Sequence, residues 1–238
     1  MYITREDVQE YSFGADPERV SEISLTNKGL VEIGGELAKL PALTDVNLSF
    51  NNLKSVANLC RNPALERVNL NHNQLRNLRG LGSLPSLRVL KSTYNGVRDV
   101  SAIAGCTQLE ELWLQHNEIA EVGHLGVLKD LPRLRRLVLR PNPCVKKLPA
   151  AEYRRAVVAL LPHLAWLDSD AVTDSDRGGF AGERLGGAEG APPPPGAPPG
   201  GITPPRARPR SREAASRSKS RIMDSVSGID DVTSSLSC

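Results

Sequence analysis

Residues 65–78 read LERVNLNHNQLRNL. Counted from Leu65, apolar residues stand at offsets 0, +3, +5, +10 and +13, and an asparagine stands at +8. The same pattern starts at Leu43, Leu87 and Leu109, a constant step of 22 residues, and residues 109–122, LEELWLQHNEIAEV, repeat it closely. A looser copy starts at Val20 and another at Leu134, which makes six units. A fixed period of this length marks a repeat architecture, and such a period settles a fold before any local signal does. The alternating segment at +3 to +5 reads as a short strand with both apolar side chains on one face. No unit can bury that face alone, so units stack and set their strands side by side, about 4.8 Å apart, in a parallel sheet.

The asparagine column is Asn51, Asn73, Asn95, Asn117 and Asn142, with Lys28 in its place in the first unit. After each strand the chain turns inward and brings backbone polar groups into an apolar interior. A buried amide both donates and accepts, so a stack of asparagines can satisfy the turns of neighbouring units. With further leucines near +16 and +19, such as Leu81 and Leu84, the chain resembles the short-period leucine-rich repeats of the phosphatase-1 regulatory-subunit class over about residues 1–173. The expected fold class is α/β: a leucine-rich-repeat solenoid with a curved parallel sheet of six repeats and a cap at each end. The expected divisions are an N-terminal cap at 1–19, repeats at 20–148, a C-terminal cap at 149–173 and a disordered tail at 174–238.

Several units depart from the pattern. Ser92 occupies a +5 core position, where a hydroxyl is expected to bond to backbone. The fifth unit is stretched to a step of 25, with the insertion around Gly123 to Lys129 on the convex side. Thr4 with Asp7 three positions later predicts a helix start, with Val8 and Tyr11 on one face. Tyr153, Val157, Leu160 and Leu161 at helical spacing predict a helix over 150–161 that Pro162 stops. That helix and residues 164–168 resemble the C-terminal cap of the same repeat class, which closes an apolar edge that water would otherwise reach.

From about Thr173 the composition changes. Proline and glycine runs at 191–201 cannot form a packed core. Pro204 to Arg221 carries Arg206, Arg208, Arg210, Arg212, Arg217, Lys219 and Arg221 against Glu213 alone, a tract that could touch an acidic partner such as tubulin, RNA or lipid. Thr203, Ser211, Ser216, Ser218 and Ser220 are candidate phosphorylation sites that would offset the charge. Ile222, Val226, Ile229, Val232 and Leu236 fall at helical spacing and could fold on a partner.

The whole chain has 238 residues, 39% hydrophobic, and a net charge of +3, too small to argue for nucleic acid binding by the molecule as a whole. There is no apolar N-terminal run of the secretory kind and no stretch of about 18 apolar residues, so no membrane span is expected. Cys106 and Cys144 fill core positions, and Cys60 lies two repeats from Cys106, too far for a disulfide. All four cysteines, Cys238 included, are expected as free thiols in a reducing, cytoplasmic setting. The sequence lacks a glycine-rich phosphate loop, a His-Glu-x-x-His pattern and a close cysteine pair, so neither a cofactor nor an enzymatic activity is expected. His72 and His116 share offset +7 but stand two repeats apart, about 10 Å, which disfavours a shared metal.

Offsets +2, +4, +6 and +7 should project from the concave face of the sheet. The +7 column reads Asn27, Phe50, His72, Tyr94, His116 and Pro141; the +4 column reads Ser24, Asn47, Asn69, Lys91, Trp113 and Val138. Exposed aromatics grouped on one face point to a protein-binding patch. The candidate contact residues are Phe50, Arg67, His72, Lys91, Tyr94, Trp113, Gln115, His116, Arg136 and Arg140. Trp113 and Tyr94, with Lys91 and His116 beside them, are expected to form one cluster whose loss weakens binding and costs little in folding.

Residues 109–173 resemble the ciliary and flagellar leucine-rich-repeat proteins. The likeness is carried by the stretched fifth repeat, by Leu131-Pro132-Arg133-Leu134-Arg135 and Asn142-Pro143-Cys144, and by Tyr153-Arg154 and Leu167-Asp168 through Thr173. It implies a scaffold in cilium or flagellum assembly or maintenance, located in the cytoplasm, the cilium or the basal body. The tail after Thr173 does not share that likeness. Two alternatives stay open: a phosphatase regulatory subunit, although no basic-Val-x-Phe docking peptide is present, and a ribonucleoprotein assembly factor resembling the spliceosomal A-prime protein, supported by the Arg-Ser tract.

Overall fold

The computed structural model describes residues 2–12 and 16–178. They fall in one compact unit, Met1–Leu185; the second, Gly186–Cys238, lies outside the described residues. So do the proline-rich and basic tracts, the candidate phosphorylation sites, the 222–236 stripe and Cys238.

The described residues form a leucine-rich-repeat solenoid. Its strands are β1 (Glu22–Ser24), β2 (Asp45–Asn47), β3 (Arg67–Asn69), β4 (Val89–Lys91), β5 (Glu111–Trp113) and β6 (Arg136–Val138), paired in parallel in chain order. The register follows the period: Val46 lies opposite Val68, Leu90 opposite Leu112, and Leu112 opposite Leu137. Each strand buries its central residue, and the +0, +5 and +10 leucines flank it; Leu65, Leu70, Leu75 and Leu78 are wholly buried. Such a leucine contributes about 2 kcal/mol by leaving water.

On the far side the chain returns through short 3-10 turns, among them Leu81–Ser83 and Ser101–Ile103, and a longer one at Val122–Asp130 that takes up the insertion in the fifth repeat. These turns pack closely. A Cβ on Gly105 would lie 2.2 Å from the carbonyl oxygen of Gly82. Asn62 and Cys106 occupy a leucine slot here, and each donates to a carbonyl of the preceding repeat: Asn62 Nδ2 to Leu37 at 2.7 Å and Cys106 Sγ to Leu81 at 3.2 Å.

The asparagine column works as a shared ladder. Asn73 Oδ1 accepts from the Leu53 N–H at 3.0 Å, and its amide donates to the Leu48 and Leu70 carbonyls, both at 3.0 Å. Those carbonyls each accept a second amide, from Asn51 at 2.9 Å and from Asn95 at 2.9 Å. Ser92 alters the pattern: its Oγ accepts from the Asn95 amide at 3.3 Å, so the hydroxyl is bound to the ladder side chain and not to the backbone as expected.

Both ends are closed. At the N-terminus, α1 (Arg5–Tyr11) starts from a capping box, with the Asp7 N–H donating to Thr4 Oγ1 at 3.2 Å and the Thr4 N–H to Asp7 Oδ2 at 2.9 Å. It buries Val8, and the Lys28 ammonium lies 4.0 Å from the centre of the Tyr11 ring. At the C-terminus, α2 (Pro143–Lys146) and α3 (Ala150–Leu160) lead into β7 (Trp166–Leu167) and β8 (Asp170–Ala171). The cap adds two strands to the sheet beyond the six expected. β7 continues the parallel order next to β6, and β8 turns back antiparallel. Asp168 holds the turn at φ 57: its Oδ1 accepts from the Leu139 and Arg140 N–H groups at 2.8 and 3.0 Å, and its Oδ2 from the Tyr153 hydroxyl at 3.0 Å.

Candidate functional site

The sheet's solvent face is built from the +2, +4 and +6 positions, and its lip from the +7 positions just beyond each strand. Phe50, His72, Tyr94 and His116 all take left-handed backbone, φ 52–57. Inter-repeat hydrogen bonds impose it: the Phe50 N–H donates to the Asn71 carbonyl at 2.9 Å, His72 to Thr93 at 2.8 Å and Tyr94 to Gln115 at 3.0 Å. Equal dihedrals repeated at strand spacing bring the rings into one stack. Centroids lie 4.3 Å apart from Phe50 to His72, 4.3 Å from His72 to Tyr94 and 3.8 Å from Tyr94 to His116, with planes within 15° of parallel. Left-handed backbone costs a side-chain-bearing residue roughly 1–2 kcal/mol, and each ring pair returns about 0.5–1.5 kcal/mol. The stack ends at His116 because the next residue in the column is Pro141, whose ring excludes positive φ. Phe50 is still 53% exposed and Tyr94 45%, so ring edges line the lip in water.

Of the expected cluster, two pairs are present: Tyr94 stacks on His116, and Lys91 lies beside Trp113. Tyr94 belongs to the stack at the lip. Trp113 lies half-buried on β5, donates its indole N–H to Glu111 Oε2 at 3.1 Å, and has the Lys91 ammonium 5.4 Å from its ring.

The remaining expected contact residues divide. Arg67 is exposed but spans to Asp45 through both Nε and Nη2, the latter at 2.8 Å. Gln115 accepts from the Thr93 hydroxyl at 2.8 Å. Arg140 pairs with Asp168 at 3.3 Å and lies over the Tyr153 ring. Arg136 lies over Trp166, 5.2 Å from its centre. Val138, placed with the solvent-facing column, is only 7% exposed: it is in register with Trp113, and a small apolar side chain beside a large one is shielded. Sequence reasoning missed Trp166, which belongs to the same face because Leu164 and Leu167 start one more turn of the pattern. It also missed Glu111 and Asp45, the acceptors that hold Trp113 and Arg67. Beside this region, over β1–β4, a hollow of about 470 Å³ opens between Tyr11, Glu22, Asp45, Arg67, Asn69 and Lys91.

Among the described residues no group of three or more His, Cys, Asp or Glu side chains is placed to hold a metal, and no helix is long and apolar enough to cross a membrane. The face offers rings, cations and amide groups, which suit binding to a polypeptide.

No family model matches the chain. It is 41% identical over 86 residues to cilia- and flagella-associated protein 410 of Mus musculus, covering 32% of this chain and 34% of that protein. It is 39% identical over 59 residues to leucine-rich repeat-containing protein 23 of Bos taurus, covering 25% and 16% respectively. It is 38% identical over 68 residues to dynein axonemal assembly factor 1 of Homo sapiens, covering 25% and 9%. The matched part thus spans about a third or less of each of these relatives. Among solved structures, an internalin of Listeria monocytogenes superposes with a TM-score of 0.52 at 18% identity, over 65% of this chain and 49% of the internalin, which speaks for the fold alone. With its parallel strand ladder, its asparagine column and these likenesses together, the chain is a leucine-rich-repeat protein whose relatives include proteins named for cilia, flagella and axonemal dynein assembly.

Proposed function

We propose that this domain is a non-catalytic protein-binding scaffold in the assembly or maintenance of a cilium or flagellum, and that its partner sits on the solvent face of the sheet. One observation carries the reading: Trp113 and Trp166 on the strands and the ladder from Phe50 to His116 at the lip bring aromatic side chains to the solvent face and its edge. Such rings supply large contact area with few rotatable bonds, and they dominate binding hot spots. The names of the relatives support the ciliary setting, with the protein acting in the cytoplasm and at the axoneme or basal body.

The test is capture of partners from ciliated cells by the full chain, with proximity labelling to identify them. Trp113→Ala should weaken capture by about 2 kcal/mol or more, roughly 30-fold, and leave the melting temperature nearly unchanged. Tyr94→Ala should weaken capture and also lower stability by about 1–3 kcal/mol, because it removes two stacking contacts. Unchanged capture by both variants refutes the placement on this face. Labelling of a phosphatase catalytic subunit or a small nuclear particle, without axonemal or basal-body neighbours, refutes the ciliary role.

A further inference from the structure

Two cations on the sheet face differ from the rest. The other two, Arg67 and Arg140, each have a carboxylate of this chain, Asp45 and Asp168. Lys91 and Arg136 have none within 4.0 Å among the described residues, and the buried Arg136 Nε has no hydrogen-bond partner among them. Each lies over an indole instead, Lys91 over Trp113 and Arg136 over Trp166. The strands that carry them, β4 and β6, are separated by β5 alone, so their backbones lie about 10 Å apart. Trp113, Val138 and Trp166 form the apolar floor between and beside them.

We infer that this patch binds an acidic segment of a partner protein, a stretch whose Asp or Glu carboxylates pair with Lys91 and Arg136 while an apolar side chain rests on the tryptophan floor. The inference rests on the sheet-face reading above and names the chemistry of the partner. The charged neighbours are accounted for. Glu111 faces the same patch, but its carboxylate already accepts the Trp113 indole N–H, and the Arg67–Asp45 and Arg140–Asp168 pairs are closed on themselves. Two cations against one carboxylate leave the patch positive. A guanidinium resting against an indole gives up less freedom on binding than a free one, and an ion pair at a partly desolvated rim is screened less than one in open water. A nucleic acid is a poorer fit. Two cations neutralise few phosphates, and the faces of the inner lip rings are covered by each other.

The chain holds two tryptophans, Trp113 and Trp166, and both lie in this patch, so intrinsic emission of the full chain reports on it. The basic stretch 204–221 contains no tryptophan. Titration with an octaglutamate peptide in excess should change the emission saturably. Lys91→Gln and Arg136→Gln should each weaken the response about tenfold, the worth of one charge-assisted hydrogen bond. Lys91→Arg and Arg136→Lys, which keep the charge, should retain most of it, and they keep the test valid if a neutral variant folds poorly. An undiminished response in the Lys91→Gln/Arg136→Gln double variant overturns the proposal. So does a response to octalysine or oligouridylate in place of octaglutamate. A silent octaglutamate titration, with partner capture still lost in Trp113→Ala, overturns the acidic partner and leaves the sheet-face reading standing. Wild-type capture by Trp113→Ala overturns the acidic patch, and wild-type capture by both Trp113→Ala and Tyr94→Ala overturns the sheet-face reading as well.

Discussion

Replacing ladder asparagines by alanine should produce costs that depend on what the neighbouring repeat can still supply. In Asn73→Ala the Leu53 N–H loses its acceptor and stays buried, a penalty of about 1–3 kcal/mol. The Leu48 and Leu70 carbonyls do not become orphans, because Asn51 and Asn95 still donate to them. With the two lost amide bonds, the expected total is about 3 kcal/mol, or roughly 6–12 °C in melting temperature for a domain of this size. Asn142→Ala is more severe. It strands the Ile119 N–H and also the Leu139 carbonyl, which accepts from Asn142 at 2.5 Å and from no other side chain among the described residues, and the expected cost is about 4 kcal/mol. The sharper test is a double-mutant cycle. Asn51→Ala with Asn73→Ala removes both donors to the Leu48 carbonyl, so the pair should cost about 1–2 kcal/mol more than the sum of the singles. Asn51→Ala with Asn117→Ala shares no carbonyl and should be additive within about 0.5 kcal/mol. Urea unfolding followed by far-UV circular dichroism and by tryptophan emission measures all of these. An additive neighbouring pair, or a smaller loss for Asn142→Ala than for Asn73→Ala, would refute the shared-carbonyl account.

Gly105→Ala should lose about 2–3 kcal/mol in thermal melting, because the clash is with backbone and cannot rotate away, while Gly123→Ala, with open space around it, should stay within about 0.5 kcal/mol of wild type. The Arg154 guanidinium and the Thr173 groups hold the Asp176 carboxyl well below the usual carboxylate range. Its folded pKa lies below its unfolded value, so its contribution is complete above about pH 4 and is lost as the pH falls toward the folded value. The stability gap between wild type and Asp176→Asn, read from urea midpoints, should therefore narrow as the pH drops from about 4 to 2; a gap independent of pH would exclude this role. A thiol reagent at pH 8 should label exposed Cys60 quickly and Cys106 only on opening, since burial pushes the Cys106 thiol up to about 11; equal rates would show that the 3-10 side opens readily.

The amino-acid sequence by itself determined the repeat, its period, the asparagine column and the strand of each unit to within one residue, +3 to +5 expected against +2 to +4 found. The reason is that a solenoid is nearly one-dimensional: each repeat contacts its neighbours, so a constant spacing fixes the register of every strand. The apolar alternation at Val68 and Leu70 and the amide at Asn73 act within one turn of chain and its neighbour, and their roles follow from offset alone. The +2 and +4 positions of the repeats could also be assigned to one face, since side chains alternate along a strand, while Trp166 escaped because it lies beyond the last full repeat. What those side chains do there was decided by the tertiary structure. Tyr94 and Trp113 share a surface in sequence terms, but the left-handed turn after each strand carries Tyr94 into a stack with residues 22 positions away on either side. Arg67 looks free in the sequence and is closed onto Asp45, while Arg136 looks the same and is not. Offsets state which face a residue occupies. The pairing of rings, cations and carboxylates across strands depends on the rotamers each one takes and on which neighbour is within reach, and only the stacked repeats set those distances.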